Sequence, residues 1–321
     1  MIEILSACRV RHEPCSKDVG TRDLQCANQQ NFITMNTLQR TTGIALAMLA
    51  LGTVEKAAAI SYPDFSNVSG LTINGNAAQA GNVLRLTPAA PNQSGSAFST
   101  TTVPLNNLSS FSTRFQFQIT GSGGIGDEDG IGADGLVFVV QTAGNNVGGA
   151  GGGIGYVGVP HSVGIEFDTY NNGAQDGNNG NHLGVDLNGD VNSVARQNIA
   201  TRFNDGNVWT AWVDYNGNTG QLEVRANETG IRPAAPDLTY TVDLASILGT
   251  PDAYVGFTAG TGSGWGNHDI LNWEFLSDYN PIGGVPDSGN TVTLLLLGCL
   301  GIAVSSRNWA SARAAEKTAR D

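Results

Sequence analysis

Residues 111–119, Phe-Ser-Thr-Arg-Phe-Gln-Phe-Gln-Ile, set the strongest limit on this chain: Phe111, Thr113, Phe115, Phe117 and Ile119 fall on every second position. A period of two puts these side chains on one face of an extended strand, whereas a helix would scatter them around its axis. A second stretch, Trp209 to Tyr215, runs into Asn216-Gly217 before Gln221-Leu222-Glu223-Val224 resumes the extended pattern, which predicts a hairpin. From 61 to 276 such strands follow one another with turn residues between them and no helical period. The expected fold is therefore all-β, an antiparallel two-sheet jelly-roll sandwich, and 43 Gly in the chain supply its many turns. Such a sandwich accommodates more than about 200 residues in one domain, here 60–277.

Charge is unevenly placed. Residues 60–290 hold 21 Asp plus Glu against 6 Arg and no Lys, a net of −15 with His neutral. Nucleic acid is excluded as a partner, because that affinity is built from clustered Lys and Arg, and divalent cations are the natural complement of such a surface. The four Cys, at 8, 15, 26 and 299, all lie outside this region, so no disulfide staples the domain, and a core of this size forms without one.

Residues 1–34 carry no hydrophobic period and read as an over-extended, disordered start. Met35 opens a better beginning: Arg40 is a positive n-region, residues 43–51 an apolar h-region and Ala57-Ala58-Ala59 a small-residue cleavage site, so 35–59 reads as a signal peptide with a short helix. The alternative is a short membrane anchor, for which the apolar run falls below the roughly 20 residues a bilayer needs. At the other end, a linker (278–290) contains Val285-Pro286-Asp287-Ser288-Gly289. An apolar run (291–306) and a basic tail (307–321) with Arg307, Arg313, Lys317 and Arg320 follow. This order resembles the VPDSG variant of PEP-CTERM sorting signals, which implies a transmembrane helix, a cytoplasmic tail and a processing protease of the exosortase type. It also implies export to the cell surface or extracellular matrix of a Gram-negative-type bacterium. An ordinary tail anchor held by positive charge is the alternative, and it too puts the domain outside the cytoplasm.

The most informative stretch is Gly164-Ile165-Glu166-Phe167-Asp168-Thr169-Tyr170-Asn171-Asn172, followed by Asp176 and Asn181-His182-Leu183-Gly184-Val185-Asp186. On a strand, Glu166 and Asp168 share one face while Ile165 and Phe167 enter the core. Two carboxylates on one face repel unless a cation sits between them, and Asp176 and His182 return from the following loop. Glu166, Asp168, Asp176 and His182 offer oxygens and one imidazole nitrogen, a set suited to Mn²⁺ or a similar transition metal. Asp168, the Tyr170 carbonyl, Asn172 and Asp176 offer oxygen alone, which suits Ca²⁺.

These residues resemble those of legume-type, concanavalin-like lectins. Four other motifs in the same order carry the resemblance across 61–276: Ser96-Ala97-Phe98-Ser99 to Val103-Pro104-Leu105, Ala133-Asp134-Gly135-Leu136-Val137-Phe138, Gly151 to Tyr156, and Asn267 to Phe275. The resemblance implies a lectin binding a glycan or extracellular polysaccharide with Ca²⁺ and Mn²⁺, and it admits a homodimer. It makes Asp134, after a cis peptide at Ala133–Asp134, the acceptor for sugar hydroxyls. Gly152 would give a backbone N–H, Asn172 an amide N–H, and Tyr170 a ring against the pyranose. Ser263, Gly264 and Trp265 are the candidates from a short glycine-rich specificity loop at 260–266. The interval from Asp168 to Asp176 is one residue longer than the common family spacing. Outside these motifs, Asp127-Glu128-Asp129 reads as a solvated loop insertion, with an extra weak Ca²⁺ site as the alternative, and His161 and His268 as structural.

Two other functions compete. Concanavalin-like glucanases carry E-x-D-x-x-E on one strand, and retaining hydrolysis needs a second carboxyl about 5 Å from the first. Here Asn171 stands in that place and cannot donate a proton as a carboxylic acid does, so the expectation is no enzyme. A structural matrix or adhesion protein that has lost sugar binding is the third reading, and Asp134, Gly152 and Asn172 together argue against it.

Overall fold

The structure is a computed structural model that describes residues 59–146 and 153–283. The start at 1–34, the signal segment up to 58, Gly152, and everything from 284 onward lie outside those residues. In chain order the strands of the first half are β1 (Ala59–Tyr62), β2 (Leu71–Gly75), β3 (Ala78–Ala80), β4 (Val83–Thr87), β5 (Ser94–Ser99), β6 (Val103–Pro104), β7 (Phe111–Gly124) and β8 (Gly135–Gln141). The second half contributes β9 (Ser162–Asp168), β10 (His182–Leu187), β11 (Asp190–Asn198), β12 (Val208–Asn216), β13 (Gln221–Asn227), β14 (Leu238–Thr241), β15 (Asp252–Gly260) and β16 (Gly264–Leu276). Among the described residues no helix is long and apolar enough to cross a membrane.

The strands form two antiparallel sheets, as the alternation predicts. The back sheet runs β14-β13-β12-β7-β16-β4-β3, with β1 also on β16. The site sheet runs β11-β10-β9-β8-β15-β5-β2, with β6 also on β15. Phe111, Phe115, Phe117 and Ile119 are buried between the sheets while Arg114, Gln116 and Gln118 are partly exposed, the split a period of two requires. Edge-to-face aromatic contacts join the layers: Phe115 meets Phe257 of β15 at 4.9 Å between ring centres, and Phe117 meets Phe167 of β9 at 5.1 Å. The expected hairpin pairs β12 with β13, but its register runs from Val213↔Val224 to Asn216↔Gln221, so the loop has four residues and Gly220, at φ 69°, takes the left-handed position.

The start of the expected linker still belongs to the sandwich, since the Asn280 N–H donates to Ser112 Oγ at 3.0 Å. His268, on β16, is fully buried and bonded through Nδ1 to Thr87 Oγ1 at 2.6 Å, a structural placement. A second, smaller apolar cluster lies on the outer face of the site sheet. Phe98, Val137 and Val139 rise from its strands, and Ile154, Tyr156 and Val159 from the β8–β9 connection roof them. That roof is what buries the outward-facing polar residues of β9 and β10.

Candidate functional site

Ile165 and Phe167 enter the core, so Glu166 and Asp168 point to the roofed face, each only 2% exposed. The β9–β10 ladder sets His182 opposite Asp168 and Gly184 opposite Glu166. A Cβ at position 184 would stand 2.8 Å from Glu166 Oε2, so glycine there leaves the carboxylate its room. One ligand atom each from Glu166, Asp168 and His182 lies within 4.8 Å of the others, and among the described residues this is the one such group of three.

The electrostatics of this group call for a cation. Burial, then the charges of Asp186 and Asp168, pushes Glu166 well above the usual carboxylate range, and burial, then Asp176, does the same to Asp168. Burial and the Arg196 charge lower His182 to about 4, so its imidazole is neutral and able to act as a ligand. His182 Nδ1 is buried with no hydrogen-bond partner. Hard carboxylate oxygens beside a neutral imidazole fit a divalent cation.

Asp176 lies beside this group of three. It ends a 3-10 turn, Gly173–Asp176, is buried, and its Oδ2 accepts the Asn172 N–H, which leaves Oδ1 free of that bond. Tyr170 is placed by its backbone: its N–H donates to Asp168 Oδ1 at 2.7 Å in an Asx turn. Tyr170 itself is partly exposed.

A cavity of 280 Å³ brings Asp134, Glu166, Asp168, Asn172 and Gly153 to one wall. Asp134 follows a cis peptide, as expected. Its N–H donates to Gly260 O at 3.2 Å and its carbonyl accepts the Thr169 N–H at 3.1 Å. Gly135 behind it has φ 129°, and a Cβ there would meet Phe167 O at 2.3 Å, so only glycine lets Asp134 lie this close to β9. Asp134 Oδ2 is buried with no partner, and burial pushes the carboxyl up to about 6 against the opposing effect of the Gly262 backbone N–H.

The specificity loop is corrected by the structure. Gly264 is buried, and a Cβ there would stand 2.8 Å from Ala133 Cβ, so it serves packing and presents no surface to a ligand. Ser263 is exposed and its carbonyl accepts the Ile125 N–H at 3.1 Å. The residue of this loop beside the Asp134 carboxylate is Gly262, which the glycine-rich run concealed among its equals. Asp186 was also left without a role. It is fully buried, two positions along the strand from Gly184, and its Oδ1 accepts from Ser193 Oγ at 2.8 Å, a hydroxyl also 3.1 Å from Glu166 Oε2. Burial raises Asp186 to about 7. Strand alternation carried that signal: 182, 184 and 186 share a face.

Two antiparallel sheets, with carboxylates and an imidazole gathered beneath a loop at the ends of adjacent strands, define a concanavalin-like sandwich of the lectin class. Residues 57–287 match the legume lectin domain model, and the chain belongs to that family. It is 32% identical over 206 residues to the L-type lectin-domain containing receptor kinase VIII.1 of Arabidopsis thaliana, a match covering 62% of this chain and 27% of that one. It thus spans about a quarter of the length of such receptor kinases, 24% in the case of receptor kinase VIII.2. Among solved structures, basic winged bean lectin with Tn-antigen is 27% identical with a TM-score of 0.58, covering 69% of this chain and 98% of that one. The Bauhinia forficata lectin in complex with GalNAc is 25% identical at 0.56, covering 68% and 97%.

Proposed function

We propose that this domain binds a glycan or extracellular polysaccharide in a cation-dependent manner. The observation that carries the reading is the unpartnered, buried Oδ2 of Asp134 on a cavity whose wall also contains Glu166, Asp168 and Asn172. A buried carboxylate oxygen without a donor is costly, and sugar hydroxyls are the donors that would satisfy it. With its carboxyl at about 6, Asp134 is mostly ionised at neutral pH and accepts rather than donates. Asn172, exposed at the rim, adds an amide, and Gly153 lines the same cavity.

Glu166, Asp168, Asp176 and His182 would hold Mn²⁺ or a similar metal, and Asp168, the Tyr170 carbonyl, Asn172 and Asp176 would hold Ca²⁺. The cations would supply positive charge that keeps these buried carboxylates ionised. The reading is of a binding protein and not an enzyme. Asn171, in the place of a second catalytic carboxyl, has its amide occupied: Nδ2 donates to Glu128 Oε2 and Oδ1 accepts the Gly173 N–H, both at 2.8 Å.

We read the whole chain as exported and sorted to the surface of a bacterium, on the strength of residues 35–59 and 285–320. A glycan array probed with and without Ca²⁺ and Mn²⁺ tests the binding reading. Cation-dependent signal for one class of sugar is expected, and an array blank in both conditions overturns it.

A further inference from the structure

The connection between β7 and β8 carries the acidic run that the sequence assigned to solvent, and the structure folds it onto the cation loop instead. Gly126 and Ile131 bridge, closing a hairpin whose tip is Asp127 to Gly130. Asp127 Oδ2 accepts the backbone N–H of Asn171 at 2.7 Å. Glu128 Oε1 accepts the backbone N–H of Gly180 at 2.8 Å, and its Oε2 accepts Asn171 Nδ2 at the same distance. Contact is tight enough that a Cβ on Gly180 would stand 2.0 Å from Asp127 Oδ2. Two adjacent acidic residues thus hold both ends of the loop from 171 to 180, the loop in which Asn172 and Asp176 lie.

The hairpin is itself anchored to the other parts of the site. The Ile125 N–H donates to Ser263 O, the Gly132 N–H to Ile125 O at 3.2 Å, and Asp129 lies 3.5 Å from Arg202 Nε. The chain then passes directly into Ala133 and Asp134. A loop that must order itself when a cation arrives loses affinity to conformational entropy, and a loop held in place beforehand does not.

We propose that Asp127 and Glu128 are positioning residues that strap the cation loop in its binding conformation and so set the affinity for Ca²⁺. This rests on the reading above that the loop holds cations, and neither residue is itself a ligand. Their acceptor oxygens matter more than their charge.

The experiment titrates the full-length chain, stripped with EDTA, with Ca²⁺ by calorimetry, and follows exchange of the Asn171 and Gly180 amides in EDTA. Asp127→Ala and Glu128→Ala should each weaken Ca²⁺ binding about tenfold, the scale of a charge-assisted hydrogen bond, and should speed exchange at the amide each one holds. Asp127→Asn and Glu128→Gln keep an acceptor oxygen and should bind within about threefold of the original chain, because the bond is retained. Alanine variants that bind as tightly as the original overturn the proposal, as do Asn and Gln variants as weak as the alanine ones. An original chain that binds no Ca²⁺ overturns the reading of the site and the strap with it.

Discussion

His182 and Asp168 face each other across the β9–β10 ladder, so backbone pairing, not a loop, sets imidazole against carboxylate. The ladder stays in place when one side chain is removed. His182→Ala should therefore leave the fold intact and weaken Mn²⁺ binding at least tenfold, about the least that loss of even an outer partner costs a metal site. Ca²⁺, for which the proposed ligands are all oxygens outside position 182, should bind nearly as before. Calorimetry with each ion separates the two, and equal loss of both would mean that one shared site holds either metal.

The carboxylates make the cation-free protein sensitive to alkali. Asp186 is raised to about 7, and Glu166 and Asp168 are raised well above their ordinary range, so the folded state keeps protons that the unfolded chain releases above about pH 4. Their stabilising contribution is complete below that unfolded value and is lost as pH rises toward the folded values. His182 and His268, both lowered to about 4, act oppositely, but only up to the unfolded histidine value of about 6.5. Above that only the acids remain. Urea unfolding in EDTA should show a loss of at least about 1 kcal/mol between pH 6.5 and 8. Saturating Ca²⁺ and Mn²⁺ should abolish it. A flat profile in EDTA would contradict the buried, protonated carboxyls.

What could be read from the sequence follows from the range of each interaction. Phe111 to Ile119 announced a strand because alternation is local, and Glu166, Asp168 and His182 were legible because strand faces are set two residues at a time. Gly264 was misassigned because a glycine buried against Ala133 and a glycine open beside Asp134 look alike in a run of glycines. Asp127 and Glu128 read as solvated because their partners, Asn171 and Gly180, are more than forty residues away and arrive only when the sheet closes. The bond from the Asn172 N–H to Asp176 is local but was hidden for another reason, since it depends on how residues 173–176 turn.

A buried charge network on the back sheet supplies a test of stability independent of the site. Asp214 on β12 is 1% exposed, accepts from Arg232, and lies 3.6 Å from Arg225 Nη1, with both guanidinium groups nearly as buried. Burial still raises the Asp214 carboxyl in spite of the two arginines. Asp214→Ala leaves two guanidinium groups buried with less to oppose them and should cost about 3–5 kcal/mol in urea unfolding. Glu223, which pairs with Arg225 at 2.8 Å but is partly exposed, should cost no more than about 1 kcal/mol when changed to alanine. Equal effects would mean that burial does not govern this network.

Asp134 should separate function from stability. Its Oδ2 is buried without a partner and its carboxyl is raised to about 6, so the residue costs the empty domain stability that bound sugar would recover. Asp134→Ala should then leave unfolding stability unchanged or slightly higher, unlike a change at Asp214. Loss of two charge-assisted hydrogen bonds to hydroxyls should lower glycan affinity by at least about a hundredfold. Protonation removes the same acceptor, and bound cations lower the carboxyl from its cation-free value of about 6, so affinity of the original chain should fall only as pH drops below about 6, while the alanine variant shows no such step. Calorimetry with the best glycan from the array, across pH 5 to 8, and parallel urea unfolding check all three. Retained affinity in Asp134→Ala, or a loss of stability of several kcal/mol, would place Asp134 in the scaffold and move the sugar site elsewhere.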